Sequence, residues 1–175
     1  MVGSIGFVGL GAMGSLMAPL LFNAGYSVIG FDPATTLGEN SGVCSASRLE
    51  DLVSCNTVIL MLPDGTTVAN VAKGLANAGF RGRMIDMSSS HPGGTIALAE
   101  QLGKNSIRLI DAPVSGGRKK AAIGALMIMM GGEKEDLDEI RGLLGCFGSV
   151  AHVGPLGAGH AMKALNNYVS AAGLL

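Results

Sequence analysis

Aromatic side chains are scarce in this chain: no tryptophan, two tyrosines and five phenylalanines among 175 residues. Stacking platforms for single-stranded nucleic acid are correspondingly few. Charge is sparse as well. Twelve basic and 13 acidic residues leave a formal net charge of −1, so no basic field awaits a phosphate backbone or an anionic membrane. The three cysteines, Cys44, Cys55 and Cys146, have no metal-ligand spacing. Their odd number and wide separation fit reduced thiols in a reducing compartment. His91, His152 and His160 show no ligand spacing with acids or cysteines either, and each reads as structural or exposed. The longest apolar runs, such as TVILMLP and ALMIMM, are too short to span a bilayer. The N-terminus enters a strand at once, without a charged leader and cleavage site. These absences predict a cytoplasmic protein with no nucleic-acid partner, no membrane partner and no metal site.

Glycine and aliphatic side chains are abundant. There are 28 glycines, and 48% of the residues are hydrophobic, enough for a sizeable core. The glycines follow no period, which excludes collagen-like and linker readings. Short aliphatic runs alternate with segments of helical spacing. SIGFVG, YSVIGFD, TVILML, GRMIDMS, IRLIDAPV, ALMIMMGG and SVAHVG read as strands, several apolar on both faces as buried parallel strands are. MGSLMAPLLFNAG, GTTVANVAKGLANAG, GGTIALAEQLG and KEDLDEIRGLLG read as helices, several ending on glycine. The alternation predicts a doubly wound α/β domain with a mostly parallel, Rossmann-like sheet. Residues 33–42 are poor in apolar side chains and read as a short helix or loop.

Residues 4–14, SIGFVGLGAMG, place Gly9, Gly11 and Gly14 in a G-x-G-x-x-G pattern between a strand and a helix. The first glycine allows the tight turn, the second lets the backbone approach a pyrophosphate, and the third lets the helix pack on the strand. The helix start then presents free N–H groups and a positive dipole end to the phosphates. This loop, Gly9, Leu10, Gly11, Ala12, Met13 and Gly14, is the predicted dinucleotide cradle. Asp32 closes the second strand, where a carboxylate accepts hydrogen bonds from the adenosine ribose and repels a 2′-phosphate. No arginine or lysine lies between Asp32 and Arg48 to receive such a phosphate. NAD is therefore expected over NADP.

Three further blocks, MLP at 61–63, DAPVSGG at 111–117 and GAGHAMKALNN at 157–167, complete a set that resembles the β-hydroxyacid dehydrogenase family. The resemblance runs the length of the chain. It implies a dinucleotide-binding domain over residues 1–156 and, over 157–175, the start of an interdomain helix leading to an all-α C-terminal domain absent here. It also implies a homo-oligomer when full length, and a small hydroxy acid as substrate.

Lys163 and Asn167 stand four residues apart, one turn along a single helix face. The resemblance assigns them as catalytic lysine and substrate-orienting asparagine. Alcohol oxidation requires hydride loss from carbon and proton loss from oxygen; a lysine amine of lowered pKa can take that proton. Ser115, Gly116 and Gly117 offer a hydroxyl and two unobstructed N–H groups to a carboxylate, and the resemblance assigns them to substrate. It also carries Leu62, Pro63 and Ser89 to the cofactor. The following run, RKKAA, either adds positive charge beside a polyhydroxy acid or starts a solvated helix.

The expected activity is hydride transfer between NAD and the alcohol carbon of a small 3-hydroxy acid such as 3-hydroxyisobutyrate, tartronate semialdehyde/glycerate or threonate. Two alternatives stand beside it: a 6-phosphogluconate-type decarboxylating dehydrogenase, and a non-catalytic dinucleotide-binding or scaffold domain of the same fold. This chain alone is expected to bind NAD without turning over.

Overall fold

The computed structural model describes residues 4–173. The elements are β1 (Ile5–Val8), α1 (Gly14–Asn23), β2 (Val28–Phe31), β3 (Cys44–Ser45), β4 (Thr57–Leu60), α2 (Gly65–Asn77), β5 (Arg83–Asp86), α3 (Pro92–Gly103), β6 (Arg108–Asp111), β7 (Val114–Ser115), α4 (Gly117–Ala122), β8 (Leu126–Gly131), α5 (Lys134–Gly145), β9 (Gly148–Gly154) and α6 (Ala158–Ala172). The six strands β3-β2-β1-β4-β5-β6 lie side by side and all pair in parallel. This is the doubly wound, Rossmann-like sheet expected, and its order reverses between β1 and β4, the place where such sheets open a ligand crevice.

Two departures from the linear reading matter. IRLIDAPV is not one strand: it breaks into β6 and β7 around Ala112–Pro113, because proline has no N–H to give a ladder. Both pieces pair antiparallel with β8, and β9 then continues parallel to β8. Residues 33–42 contain only a 3₁₀ turn at Glu39–Ser41, after which the two-residue β3 extends the sheet edge.

Strand period decides where the core sits. Along β4, Ile59 joins Ile5, Phe7, Ile85 and Ile110 on one face, against Met17 and Leu21 of α1 and Leu137, Ile140 and Leu144 of α5. Its neighbours Val58 and Leu60 turn to the other face, with Val68 and Leu75 of α2 and Leu98 and Leu102 of α3. Alternate side chains must point to opposite faces of a pleated strand, so a strand covered by helices on both sides is apolar at every position. Each fully buried side chain of this size contributes about 2 kcal/mol of transfer free energy. Phe7 and Phe147 meet edge to face, centroids 6.4 Å apart, which joins β1 to the start of β9. Asp64 caps α2 through Thr67 N–H, and His91 caps α3 through Gly93 N–H with Pro92 in the first turn.

Candidate functional site

At the end of β1 the chain turns through Gly9, at φ +95°, where a Cβ would fall on the Met61 carbonyl. A Cβ on Gly14 would strike the Gly9 carbonyl. Both positions thus have packing reasons to be glycine. Gly11 has none: a Cβ there meets nothing within 4 Å. Its bareness leaves open the space that a pyrophosphate drawn against the backbone requires. Leu10 is buried, and its N–H donates to Asp32 Oδ2 at 2.8 Å, while Ala34 N–H donates to Asp32 Oδ1 at 2.8 Å. The carboxylate is thereby held at the tip of β2, each oxygen keeping a second lone pair for a hydroxyl donor. Gly9, Gly11, Ala12, Met13, Gly14, Asp32, Met61, Leu62 and Pro63 line one crevice of about 260 Å³. The donor set fits a dinucleotide. Ser89 is exposed and is not among the residues lining this crevice; it stands between Ser88 and Ser90, whose hydroxyls are already committed to protein partners.

A second group of predicted residues meets at α6. Lys163 is half-buried, and desolvation pushes its amine below the ordinary lysine range. One turn on, Asn166 Nδ2 donates to Ser115 Oγ at 3.3 Å, tying α6 to β7. Asn167 is exposed. The asparagine that touches the predicted substrate loop is therefore Asn166, at i+3 from the lysine. The signal for it, the doublet NN, was present in the sequence, but helical spacing alone does not choose between i+3 and i+4. Gly116 is packed against the Lys120 stem and Leu126, whereas Gly117 is open. Lys119 and Lys120 are exposed on the short helix α4.

Sequence reasoning missed a buried polar cluster between these two halves. Asp86 and Asp111 are opposite one another on β5 and β6 and are 1% and 0% exposed. His160, 1% exposed, lies between them, its Nε2 3.6 Å from Asp86 Oδ2 and its Nδ1 3.7 Å from Asp111 Oδ2. Thr95 Oγ1 on α3 hydrogen-bonds His160 Nδ1 at 2.8 Å. Asp86 accepts from Ser88 N–H and Ser90 Oγ, and Ser88 Oγ accepts from Leu62 N–H at 2.9 Å. A run of polar contacts thus leads from the crevice loop to the start of α6. Of the remaining histidines, His91 is the α3 cap and His152 meets the Gly132 carbonyl. Among the described residues no group of His, Cys, Asp and Glu is arranged to hold a metal, and no helix is long and apolar enough to cross a membrane.

The glycine cradle, the reversal of strand order beside it and Asp32 together define a nucleotide-binding half-site, and comparison names it. The family model of the NAD binding domain of 6-phosphogluconate dehydrogenase matches residues 4–154. The chain belongs to this family. The match ends four residues before α6 begins, but similarity to whole proteins continues further. The chain is 36% identical to 2-(hydroxymethyl)glutarate dehydrogenase of Eubacterium barkeri, over 93% of its own length and 57% of the relative's. It is 33% identical to the human mitochondrial 3-hydroxyisobutyrate dehydrogenase, over 98% and 54%. The solved structure of Mycobacterium tuberculosis 3-hydroxyisobutyrate dehydrogenase with L-serine superposes at a TM-score of 0.92 with 34% identity, covering 98% of this chain and 61% of that one. An imine reductase from Myxococcus stipitatus bound to NAD⁺, 16% identical at TM-score 0.88, shares the fold. The chain therefore spans a little over half the length of the relatives it matches.

Proposed function

We propose that this NAD-binding domain serves an NAD-dependent dehydrogenase that oxidises the primary alcohol of a 3-hydroxy acid of the form HOCH₂–CHR–COO⁻ to the corresponding aldehyde. The observation that carries the reading is the half-buried Lys163 on a helix hydrogen-bonded to Ser115 of the anion-binding turn. Bound in the crevice, the nicotinamide ring supplies the two-electron acceptor. The chain's own residues supply the rest. Gly11 and the N-terminal turn of α1 receive the pyrophosphate, and Asp32 receives the adenosine ribose, which favours NAD over NADP. Leu62, Pro63 and Ser89, at the ends of β4 and β5, stand where the nicotinamide riboside lies. Ser115 with the Gly116 and Gly117 N–H groups holds the substrate carboxylate. Lys163, its amine kept closer to neutral by desolvation, removes the hydroxyl proton as hydride leaves carbon; protonated, it steadies the alkoxide in the reverse direction. Asn166 and Asn167 bracket that site, the first through Ser115, the second from an exposed position open to a substrate hydroxyl.

The substrate class draws support from the relatives' names. 3-Hydroxyisobutyrate, 2-(hydroxymethyl)glutarate and L-serine share HOCH₂–CHR–COO⁻ and differ only in R. A site reading the common part needs one anion cradle and one base, the roles proposed above for Ser115, Gly116 and Gly117 and for Lys163. The 6-phosphogluconate-type alternative has the matching family model's name behind it, whereas the relatives above are hydroxyacid dehydrogenases by name. The test is NAD reduction by the full-length protein across acids with R as methyl, amino, hydroxyl and carboxyethyl, with Lys163→Ala as control. Turnover of at least one acid that falls at least 1,000-fold in the variant is expected; no turnover of any, or an unimpaired variant, overturns the reading.

A further inference from the structure

We propose that Asp111 is a positioning residue for Lys163: its buried carboxylate clamps the first turn of α6 and, with Ser115, fixes where along the sheet edge the lysine stands. The inference rests on Lys163 being the base and goes beyond it by saying what puts the base in place.

A fully buried carboxylate is costly unless its charge is answered. Among the described residues no lysine or arginine reaches Asp111. The answer comes from the open end of a helix: Gly157 N–H donates to Oδ1 and His160 N–H to Oδ2, both at 2.8 Å, where the dipole of the 15-residue α6 is positive. An ordinary cap belongs to the helix's own sequence, one to three residues upstream. This one comes from a strand end 46 residues away, so the helix is registered by β6 rather than by its own chain.

The surroundings are shaped for that grip. Gly157 enters α6 at φ +89°, which turns its N–H onto the carboxylate. A Cβ on Gly159 would stand 2.8 Å from Asp111 Oδ2, and one on Gly131, the cross-strand partner of Asp111, would overlap Oδ1. Four residues beyond Asp111, β7 delivers Ser115 to Asn166. The segment DAPVS therefore holds α6 at residues 157 and 160 and again at 166, and Lys163 lies between the two holds. His160 braces the clamp sideways, through Thr95 to α3.

The test uses the full-length protein and Asp111→Asn, which puts an amide donor where one of two N–H groups needs an acceptor. Turnover of the hydroxy acid, counted per NAD-binding site, is expected to fall at least tenfold, with the dissociation constant for NAD within twofold of wild type. Amide hydrogen exchange over residues 157–163 is expected to quicken by at least tenfold in the same variant. Gly131→Ala, whose Cβ would meet Asp111 Oδ1 before any other atom, should reproduce the kcat loss without altering the charge, so the outcome does not hang on one variant. A clamp with only a stabilising role would lower the melting temperature while leaving turnover per NAD site unchanged, and that result overturns the proposal. Unchanged amide exchange in Asp111→Asn overturns it independently of any activity. If instead Lys163→Ala retains turnover in the same assay, the assignment of the base fails first, and the two failures are told apart.

Discussion

Asn166 and Ser115 are 51 residues apart in sequence and joined by a side-chain hydrogen bond. One sits on the helix that carries Lys163 and the other in the turn proposed for the substrate carboxylate, so the contact ties the helix of the proposed base to the proposed anion site. If Asn166 acts by orienting Ser115, the two should behave as a unit. Asn166→Ala and Ser115→Ala are each expected to raise KM for the hydroxy acid by about tenfold. The double variant should be hardly worse than Ser115→Ala alone, a coupling of about 1 kcal/mol for one hydrogen bond. Additive effects in the double-mutant cycle would mean that Asn166 works elsewhere.

Lys163 carries a pH prediction with a definite sign. Its folded-state pKa is lowered by desolvation, so the unfolded chain holds that proton more tightly than the folded one. Stability therefore rises with pH through the interval from the folded to the unfolded pKa; the penalty is full below that interval and gone above it. Alcohol oxidation needs the neutral amine, so its rate should climb with pH to a plateau reached below the range of a free lysine. Lys163→Met should abolish both the turnover and this limb, and its melting temperature should equal or exceed wild type at neutral pH. A variant that melts lower and keeps the limb contradicts the assignment.

The glycine loop separates a ligand role from a packing role. Gly11 has free space at its Cβ position, whereas Gly14 does not. Gly11→Val should weaken NAD binding by at least tenfold with a melting temperature within about 2 °C of wild type, because the new side chain occupies only the ligand's place. Gly14→Val should lower the melting temperature markedly in the absence of cofactor. Thermal melts with and without NAD read both effects, and equal destabilisation by the two variants would count against the distinction.

Asp32 should set cofactor preference. Its carboxylate accepts from Leu10 and Ala34 N–H groups and faces the crevice with no basic residue in the segment that follows. Asp32→Ser removes the charge that repels a 2′-phosphate. The ratio of NADPH to NADH dissociation constants is expected to fall at least tenfold, measured by nucleotide fluorescence titration. A wild-type protein that already binds both equally would refute the role.

Much of this protein was legible in one dimension. Period-two and period-3.6 patterns reflect local backbone geometry, so β1, β2, β4, β5 and the helices α1, α2, α3 and α5 could be read from short windows. The glycine loop could be read because backbone clearance is a property of the residue itself, and Lys163 could be singled out as a candidate because it stands in the block GAGHAMKALNN. What no window contains is who faces whom. That Pro113 splits one predicted strand in two, that β8 reverses the sheet, that Asn166 rather than Asn167 meets Ser115, and that Asp111 holds α6 together with a buried His160 all depend on chain segments distant in sequence. The sequence by itself determined the fold class and the chemical inventory, since propensity, clearance and charge are local. Only the tertiary structure decided which carboxylate ends up without water and which amide it must then find, because burial and hydrogen-bond partnership are relations between remote parts of the chain.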